Sequence, residues 1–341
     1  MSQPASLDVI GIGNAIVDVI AQTDDVFLND NGLAKGAMTL IDAARAESLY
    51  KVMGSAVEAS GGSAANSMAG LASLGGRAGF IGKVRDDQLG GIFAHDIRAT
   101  GVSFATPAAT AGLPTARCLI FVTSDAQRTM QTFLGASTDL SPADVDEAMI
   151  ASAAVTYLEG YLWDKPQAKE ALIRAAAAAH KAGRKVSLTL SDSFCVDRHR
   201  ADFRALVKDH VDILFANEAE ILSLYQTTSF DDAVAKVRAD CDIAALTRSE
   251  KGAVIVAGDK THAVAAEPIA KLVDTTGAGD LYAAGFLYGY TRGLPLPVAG
   301  RIGAIAAAEI IGHYGARPAV KLVDLVAAKL GRLTTGSKTG V

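Results

Sequence analysis

Short runs of β-branched and apolar residues alternate along this chain with longer stretches rich in alanine and leucine. The short runs predict strands that are buried on both faces, and the longer stretches predict the helices that connect them. Such alternation is typical of a mostly parallel sheet with helices on both faces, so the sequence predicts a doubly wound α/β fold. The predicted strands are residues 7–12, 77–84, 154–158, 185–190, 211–215, 243–247 and 253–257. The predicted helices are residues 66–74, 88–100, 165–182 and 231–239.

The last two predicted strands are joined by residues 248–252, and this short connection predicts a hairpin at the edge of the sheet. Two other stretches, 15–40 and 103–136, are rich in Val, Ile, Thr and Phe and contain little with helical spacing. We interpret them as strands of a small β-sheet lid over the site, with ordinary loops as the alternative. The main domain would then comprise residues 1–14, 41–102 and 137–330. The small, polar residues 331–341 predict a disordered tail.

Polar side chains follow the predicted strands at the points where these strands end. In open parallel sheets, ligands bind beyond the carboxyl ends of the strands. The sequence therefore predicts a single polar cleft at one edge of the sheet. The residues at these positions are Asn14, Glu159, Tyr161, Ser191, Asp192, Asn217, Glu220 and Thr247, followed by the segment 274–280.

The segment 274–280, Asp-Thr-Thr-Gly-Ala-Gly-Asp, precedes an apolar run that predicts a buried helix. The main-chain N–H groups of Gly277, Ala278 and Gly279 would then lie at a helix N-terminus, where unpaired donors and the helix dipole favour an anion. Asp280 would repel that anion, so its position favours a general base that faces an electrophilic phosphate. A simple helix cap is the alternative.

A second glycine-rich segment contains Gly61, Gly62, Ser63 and Asn66 and leads into an apolar helix. The two polar side chains are predicted either to cap this helix or to present donors to a ligand, and the paired glycines favour the ligand. Asp18 lies beyond the first predicted strand, where a carboxylate can accept hydrogen bonds from two adjacent hydroxyls. A solvated loop aspartate is the alternative.

Two further candidates concern phosphate and metal. Asn217 and Glu220 are three residues apart in a predicted first helical turn and could hold a hydrated Mg²⁺, although acidic residues also occur there because of the helix dipole. Arg128 lies in the predicted lid and could clamp a transferring phosphate when the lid closes. A solvated lid arginine is the alternative.

The composition narrows the class of protein. The 341 residues are 50% hydrophobic and 20% charged with a net charge of −5, which offers no field for nucleic acid or an anionic membrane. Three scattered cysteines, the absence of a visible leader and the absence of a long apolar span predict a cytoplasmic protein. Any phosphate would therefore be bound by local geometry.

Several known motifs are missing from the sequence. It contains no GxxxxGK[ST], HExxH or GxSxG motif, which argues against Walker-type NTPases, zinc proteases and α/β-hydrolases. The segment 11–18 begins like a dinucleotide fingerprint but has Ile16 in place of the third glycine. An NAD oxidoreductase is therefore disfavoured.

The chain resembles the ribokinase-like (PfkB) family of carbohydrate and nucleoside kinases over roughly residues 7–320. The resemblance rests on residues 61–91 and 274–285, which are similar to the two family signatures. It implies phosphoryl transfer from ATP·Mg²⁺ to a substrate hydroxyl, with Asp280 as the base and Gly277–Gly279 as the phosphate cradle. It also implies that Asn217 and Glu220 match the family's Asn-x-x-Glu motif for metal and phosphate.

The resemblance further implies contacts with nucleotide and with a monovalent cation. Thr247 and Gly252 stand near the place of a Thr-x-Gly turn that many members use beside ATP, and Thr275 lies beside the cradle. Asp274 and Thr276 match positions that help to form a K⁺ site in some relatives. The downstream segment 315–319 lacks the hydroxyl residue of those relatives, so K⁺ dependence stays open.

Within the family, residues 11–18, 188–194 and 211–220 are most similar to adenosine kinases. This similarity implies that Asp18 and Asn66 hold ribose hydroxyls, and Tyr161 lies where aromatics stack on the purine. It predicts the reaction of adenosine and ATP to AMP and ADP, as in purine salvage, by a monomer or a homodimer formed through the lid. The alternatives are a sugar kinase for ribose, fructose or 2-keto-3-deoxygluconate, and a non-catalytic nucleoside-binding regulator.

Overall fold

The computed structural model describes residues 5–125 and 127–331. Its strands are β1 Leu7–Ile12, β2 Ile16–Gln22, β3 Met38–Leu40, β4 Ala56–Gly61, β5 Ala78–Ile81, β6 Ser103–Phe104, β7 Ala116–Val122, β8 Arg128–Phe133, β9 Ala153–Glu159, β10 Lys185–Thr189, β11 Ile213–Asn217, β12 Ile243–Thr247, β13 Ala253–Ala257 and β14 Lys260–Val264. Its helices are α1 Asp25–Asp30, α2 Ala43–Val52, α3 Ser63–Ser73, α4 Gln88–Ala99, α5 Glu147–Ser152, α6 Pro166–Lys181, α7 Ser193–His210, α8 Glu218–Tyr225, α9 Phe230–Asp240, α10 Ala278–Thr291, α11 Leu296–Ile310 and α12 Leu322–Leu330.

The large sheet has nine strands in the order β14-β13-β12-β11-β10-β9-β1-β5-β6. Its strands run parallel from β12 to β6, whereas β13 and β14 are antiparallel to their neighbours. The fold class predicted from the alternation is confirmed. The hairpin of β12 and β13 is also confirmed, but the edge strand on that side of the sheet is β14, which was not predicted from the sequence.

Side-chain alternation in the central strands explains why helices cover both faces. In β1, Val9 packs into the core beneath α3 and α10, and Ile10 packs into the opposite core with α6 and α7. Because a strand sends successive side chains to opposite faces, a continuous apolar run needs cover on both sides. None of the helices within the described residues has the length and apolar character to cross a membrane.

The small sheet has five strands in the order β3-β8-β7-β2-β4. One face packs on α1 and α2 through side chains such as Leu119 and Phe121, while Cys118 and Ile120 on the other face line a cavity. Two strands differ from their predicted membership. Ala56–Gly61 was assigned to the main domain but pairs with β2, and Ser103–Phe104 was assigned to the lid but pairs with β5.

Long-range pairing explains both differences, because local patterns in the sequence do not determine which sheet a strand joins. The segment 15–40 also contains α1, which was not predicted from the sequence. The division of the chain into a main domain and a lid stays a prediction. Residues 332–341 of the predicted tail lie outside the described residues.

Candidate active site

A cavity of about 640 Å³ lies between the carboxyl ends of the central parallel strands and one face of the small sheet. The polar residues predicted at the strand ends from Asn14 to Thr247 line it, as do residues 275–280. Residues as far apart in the sequence as Asn14 and Asp280 therefore meet in one cavity. The sites predicted from the sequence that line the cavity are Asn14, Asp18, Gly62, Ser63, Asn66, Arg128, Tyr161, Asn217, Glu220, Thr247, Thr275, Thr276, Gly277, Ala278, Gly279 and Asp280.

Asp280 lies in the first turn of α10 and faces the cavity. One carboxylate oxygen accepts a hydrogen bond from Ser63 Oγ at 2.6 Å, and the other accepts from Asn66 Nδ2 at 3.1 Å. Burial raises the pKa of Asp280, while these two hydrogen bonds and the charge of Arg317 oppose the rise. A raised pKa is favourable for a group that must accept a proton.

The predicted phosphate cradle forms the N-terminus of α10. Gly277 has φ 79°, a left-handed conformation that favours glycine, and it turns the chain into the helix. The N–H groups of a first helical turn have no intrahelical partners, so they can bind an anion. The N–H of Ala278 differs from the prediction because it donates to Thr275 O at 3.2 Å.

A buried carboxylate, Glu159, organises the floor of the cavity, although no individual role was predicted for it from the sequence. Its Oε1 accepts from the side-chain amide of Asn14 at 2.6 Å, and its Oε2 accepts from the N–H of Ala64 at 2.8 Å. Burial raises the pKa of Glu159 to about 7, although these hydrogen bonds lower it. Ser137 donates to the Asn14 amide oxygen at 2.8 Å, so Asn14 is held from both sides.

Asp18 points into the cavity from β2, opposite Asp280. Burial raises the pKa of Asp18 to about 6, with Asp280 adding to the rise while Arg317 and Arg128 oppose it. Gly61 does not line the cavity among the described residues, but a Cβ there would stand 2.6 Å from Asp18 Cγ. This glycine therefore makes room for the carboxylate, which is a packing reason that no pattern in the sequence revealed.

The Asn217–Glu220 pair is a reciprocal cap at the start of α8. The Glu220 N–H donates to Asn217 Oδ1 at 2.9 Å, and the Asn217 N–H donates to Glu220 Oε2 at 2.9 Å. Burial raises the pKa of Glu220 to about 7. Within the described residues, no group of three or more His, Cys, Asp and Glu side chains could hold a metal ion.

Thr247 and Thr275 lie on the cavity wall with this pair, whereas Gly252 is not part of the lining that the described residues form. Gly252 instead ends the tight connection between β12 and β13, where a Cβ would collide with the Val264 carbonyl. This packing explains why the residue is a glycine, and it requires no contact between Gly252 and a ligand.

Arg128 does not point freely into the cavity, as a phosphate clamp would. Its guanidinium forms a buried ion pair with Asp274, whose other oxygen accepts from the Thr276 N–H at 3.0 Å and hydroxyl at 2.8 Å. Burial opposes ionisation of Asp274, but the hydrogen bonds from Thr276 and the Arg128 charge leave its pKa lowered. The pair connects the small sheet to the loop before α10.

Aromatic side chains stand at the mouth of the cavity. Tyr161 lines it and donates from its hydroxyl to Ser191 O at 3.3 Å. Phe194, in the first turn of α7, also lines the cavity and has 74% of its surface exposed. Phe194 was not predicted as a site residue, although it ends the segment 188–194, which resembles adenosine kinases.

Comparisons with known proteins show which family and which solved structures this chain is similar to. A model of the pfkB family of carbohydrate kinases matches residues 33–322. A solved structure of the adenosine kinase from Sinorhizobium meliloti is 55% identical, with a TM-score of 0.87 over 96% of this chain and 99% of that one. The "probable sugar kinase protein" of Rhizobium etli is 54% identical, with a TM-score of 0.89 over 96% and 100%. Fructokinase-1 of rice, Oryza sativa, is 31% identical over 68% of this chain and 73% of its own length.

Proposed function

The chain belongs to the PfkB family of carbohydrate kinases, and we propose that this kinase transfers the γ-phosphoryl group of ATP to the 5′-hydroxyl of adenosine. The observation that carries the proposal is the placement of Asp280. Its carboxylate faces the cavity, bound to Ser63 and Asn66, directly beside the N-terminus of α10. A base and an anion-binding site thus meet where a hydroxyl and a phosphate would react.

In the proposed reaction, Asp280 accepts the proton of the 5′-hydroxyl as the oxygen forms its bond to the γ-phosphorus. The bond from that phosphorus to the β,γ-bridging oxygen breaks, and ADP leaves with the electron pair. The N–H groups of Gly277 and Gly279 stabilise charge on the equatorial oxygens at a preorganised helix terminus. Ser63 and Asn66 orient the carboxylate for proton transfer.

ATP in this family is used with a divalent cation, and the cavity wall supports a role for Asn217 and Glu220 through water. Both side chains line the cavity and already hold one another, so their remaining oxygen lone pairs suit a hydrated ion better than direct ligation. When bound, Mg²⁺ would neutralise charge on the phosphates. Thr247 and Thr275 would contact the nucleotide from the same wall.

Arg128 would reach the transferring phosphate only after its ion pair with Asp274 opens. The same pair bears on a proposed K⁺ site at Asp274 and Thr276, because the guanidinium already neutralises the carboxylate there. Arg128 and a monovalent cation would therefore compete for Asp274.

The choice of a nucleoside is supported by the apolar and aromatic half of the cavity. Phe194 and Tyr161 offer flat surfaces on one side, and Leu40 and Ile120 offer apolar surface on the other. A purine needs such surfaces, since bases stack on aromatic rings, whereas a free sugar presents mostly hydroxyls. Asp18 would accept hydrogen bonds from the ribose hydroxyls, with Asn14 and Asn66 beside it.

The second candidate is a sugar kinase, which the similarity to rice fructokinase supports. The deciding experiment measures ATP consumption with adenosine, ribose, fructose and 2-keto-3-deoxygluconate in parallel. We expect turnover with adenosine at the highest kcat/KM. Turnover with a sugar and none with adenosine would refute the nucleoside assignment. A melting shift with adenosine but no turnover on any substrate would indicate a non-catalytic binder.

A further inference from the structure

Arg317 lies in the segment 311–321 that connects α11 and α12, and the family resemblance did not assign it a role. Its guanidinium donates hydrogen bonds to one short segment of the chain. Nε and one terminal nitrogen donate to Ser60 O at 3.1 and 2.8 Å, and the other terminal nitrogen donates to Ala65 O at 2.8 Å. The same terminal nitrogen that reaches Ser60 O also donates to Ser60 Oγ at 2.8 Å.

Ser60 is itself held from the opposite side by Asp96 of α4. One oxygen of Asp96 accepts from the Ser60 N–H at 2.7 Å and from its hydroxyl at 2.6 Å. Ser60 is 1% exposed and lies near the end of β4, where the small sheet passes into α3. The planar guanidinium therefore bridges the two ends of the turn that joins the small sheet to α3.

This turn carries the residues that hold Asp280. Ser63 and Asn66 belong to the first turn of α3 and bind one carboxylate oxygen each. The preceding Gly62 has φ 102°, and a Cβ there would collide with the Asn14 carbonyl, so the turn follows a narrow path. A shift of the turn would move both donors away from Asp280 together.

The charge of Arg317 adds a second effect, because the neighbourhood of Asp280 is acidic. The titratable groups that interact with Asp280 include Asp18 of β2, Glu159 of β9, Glu220 of α8, Tyr157 of β9 and the nearby Tyr161. Arg317 lowers the pKa of both Asp18 and Asp280 against the rise caused by burial. Without this cation, Asp280 would keep its proton to a higher pH.

We propose that Arg317 is a positioning residue for phosphoryl transfer, which clamps residues 60–66 so that Ser63 and Asn66 orient Asp280 and which keeps Asp280 ionised among acidic neighbours. The inference rests on the proposed function, since it takes Asp280 as the base. It assigns to one side chain both the geometry and the charge state of that base.

Two substitutions separate the geometric effect from the effect of charge. Arg317→Lys keeps the charge but loses the planar fork, and we expect kcat to fall about tenfold with an unchanged acidic limb of the kcat–pH profile. Arg317→Gln loses both, and we expect kcat to fall about 100-fold with the acidic limb about one pH unit higher. The limb moves up because the unprotonated base is present only above its pKa.

Hydrogen exchange supplies a measurement that needs no substrate. We expect the amides of residues 61–66 to exchange faster in both variants than in the wild type. The matched control is Arg238→Gln, because Arg238 also donates to main-chain carbonyls, of Gly258 and Lys260, but at the β13–β14 hairpin. We expect this control to leave kcat, the acidic limb and exchange in residues 61–66 unchanged.

The proposal is overturned if a folded Arg317→Gln variant keeps the wild-type acidic limb, or if Arg317→Lys keeps wild-type kcat and wild-type exchange in residues 61–66. If the glutamine variant does not fold, Arg317→Met, which also removes the charge, takes its place for the acidic limb, and the lysine variant decides the clamp through kcat and exchange. A wild-type protein that is inactive across the substrate panel would refute the proposed function instead. The exchange measurement would still test the clamp in that case.

Discussion

The two walls of the cavity are built in different ways. On the large-sheet wall, carboxylates are buried or partly buried and are bound by neighbouring donors, as Asp280 is by Ser63 and Asn66 and as Glu159 is by Asn14. On the small-sheet wall, most side chains are apolar, and Met38 and Leu40 at its edge are about half exposed. One wall holds polar groups in fixed positions, and the other offers apolar surface to a ligand.

Under the proposed function, the difference assigns catalysis to the large-sheet wall and recognition to the small-sheet wall. Groups that react must be held to a fraction of an ångström, so they lie on helix termini and strand ends with several hydrogen bonds each. Groups that cover a ligand need contact area and exclusion of water, which an apolar sheet face supplies. Arg128 and Asp18 are charged exceptions on the small sheet, and each faces charged groups of the opposite wall.

Substitution on the large-sheet wall should have the largest effect. Asp280→Asn removes the proposed proton acceptor and should lower kcat about 1,000-fold, because general-base catalysis contributes on that order. Nucleotide affinity, measured by calorimetry, should stay close to the wild-type value. Asp259→Asn, in the exposed turn between β13 and β14, is the matched control and should keep full activity. Residual turnover above a few per cent in Asp280→Asn would remove this residue from the base role.

At the mouth between the two walls, Phe194→Ala should raise the KM for adenosine about tenfold, because base stacking on an aromatic ring contributes about 1–3 kcal/mol. The kcat at saturation and the KM for ATP should change little. Phe194→Tyr should restore the wild-type KM because the ring is retained, and Ile173→Ala on exposed α6 surface serves as the control. An unchanged KM in Phe194→Ala would argue against purine stacking at this position.

The apolar side chains of the small-sheet wall should respond in KM alone and by a smaller factor. Leu40→Ala should raise the KM for adenosine about fivefold, because removing this apolar surface weakens binding by about 1 kcal/mol. Val57→Ala is a matched control, because Val57 is 68% exposed on the opposite edge strand of the same sheet and does not line the cavity. A fall in kcat for Leu40→Ala, or an equal effect of Val57→Ala, would contradict the division between the walls.

The buried carboxylates of the large-sheet wall should also affect stability. Burial raises the pKa of Glu159 to about 7, so the folded state holds a proton that the unfolded state releases near pH 4.5. Stability should therefore fall as the pH rises from about 5 to about 8, by about 2–3 kcal/mol from this group, and level off above its folded pKa. Urea denaturation of the free protein at about pH 5 and at about pH 8 measures the change in the free energy of unfolding.

Glu159→Gln should make this pH dependence weaker by the contribution of Glu159, because the amide does not ionise, while Asp18 and Glu220 keep their own contributions. Glu170→Gln, on the exposed side of α6, should leave it as in the wild type. If the free energy of unfolding changes equally with pH in the wild type and in Glu159→Gln, Glu159 ionises as readily in the folded protein as in the unfolded chain.

Local patterns in the sequence determined the parallel α/β sheet, the strands 243–247 and 253–257, and the segment 274–280 as the start of a buried helix. These features depend on residues that are neighbours along the chain, where periodicity and glycine placement act directly. The polar cleft beyond the strand ends also followed, because the carboxyl ends of parallel strands must share one edge.

Only the tertiary structure decided which donors hold Asp280, that β4 belongs to the small sheet, that Arg128 pairs with Asp274, and that Arg317 clamps the turn before α3. Ser63 and Asp280 are 217 residues apart, and Arg317 and Ser60 are 257 apart. Such contacts leave no periodic signal in either segment, because they arise when packing of the helices brings distant polar groups into one low-dielectric space where each must find a partner.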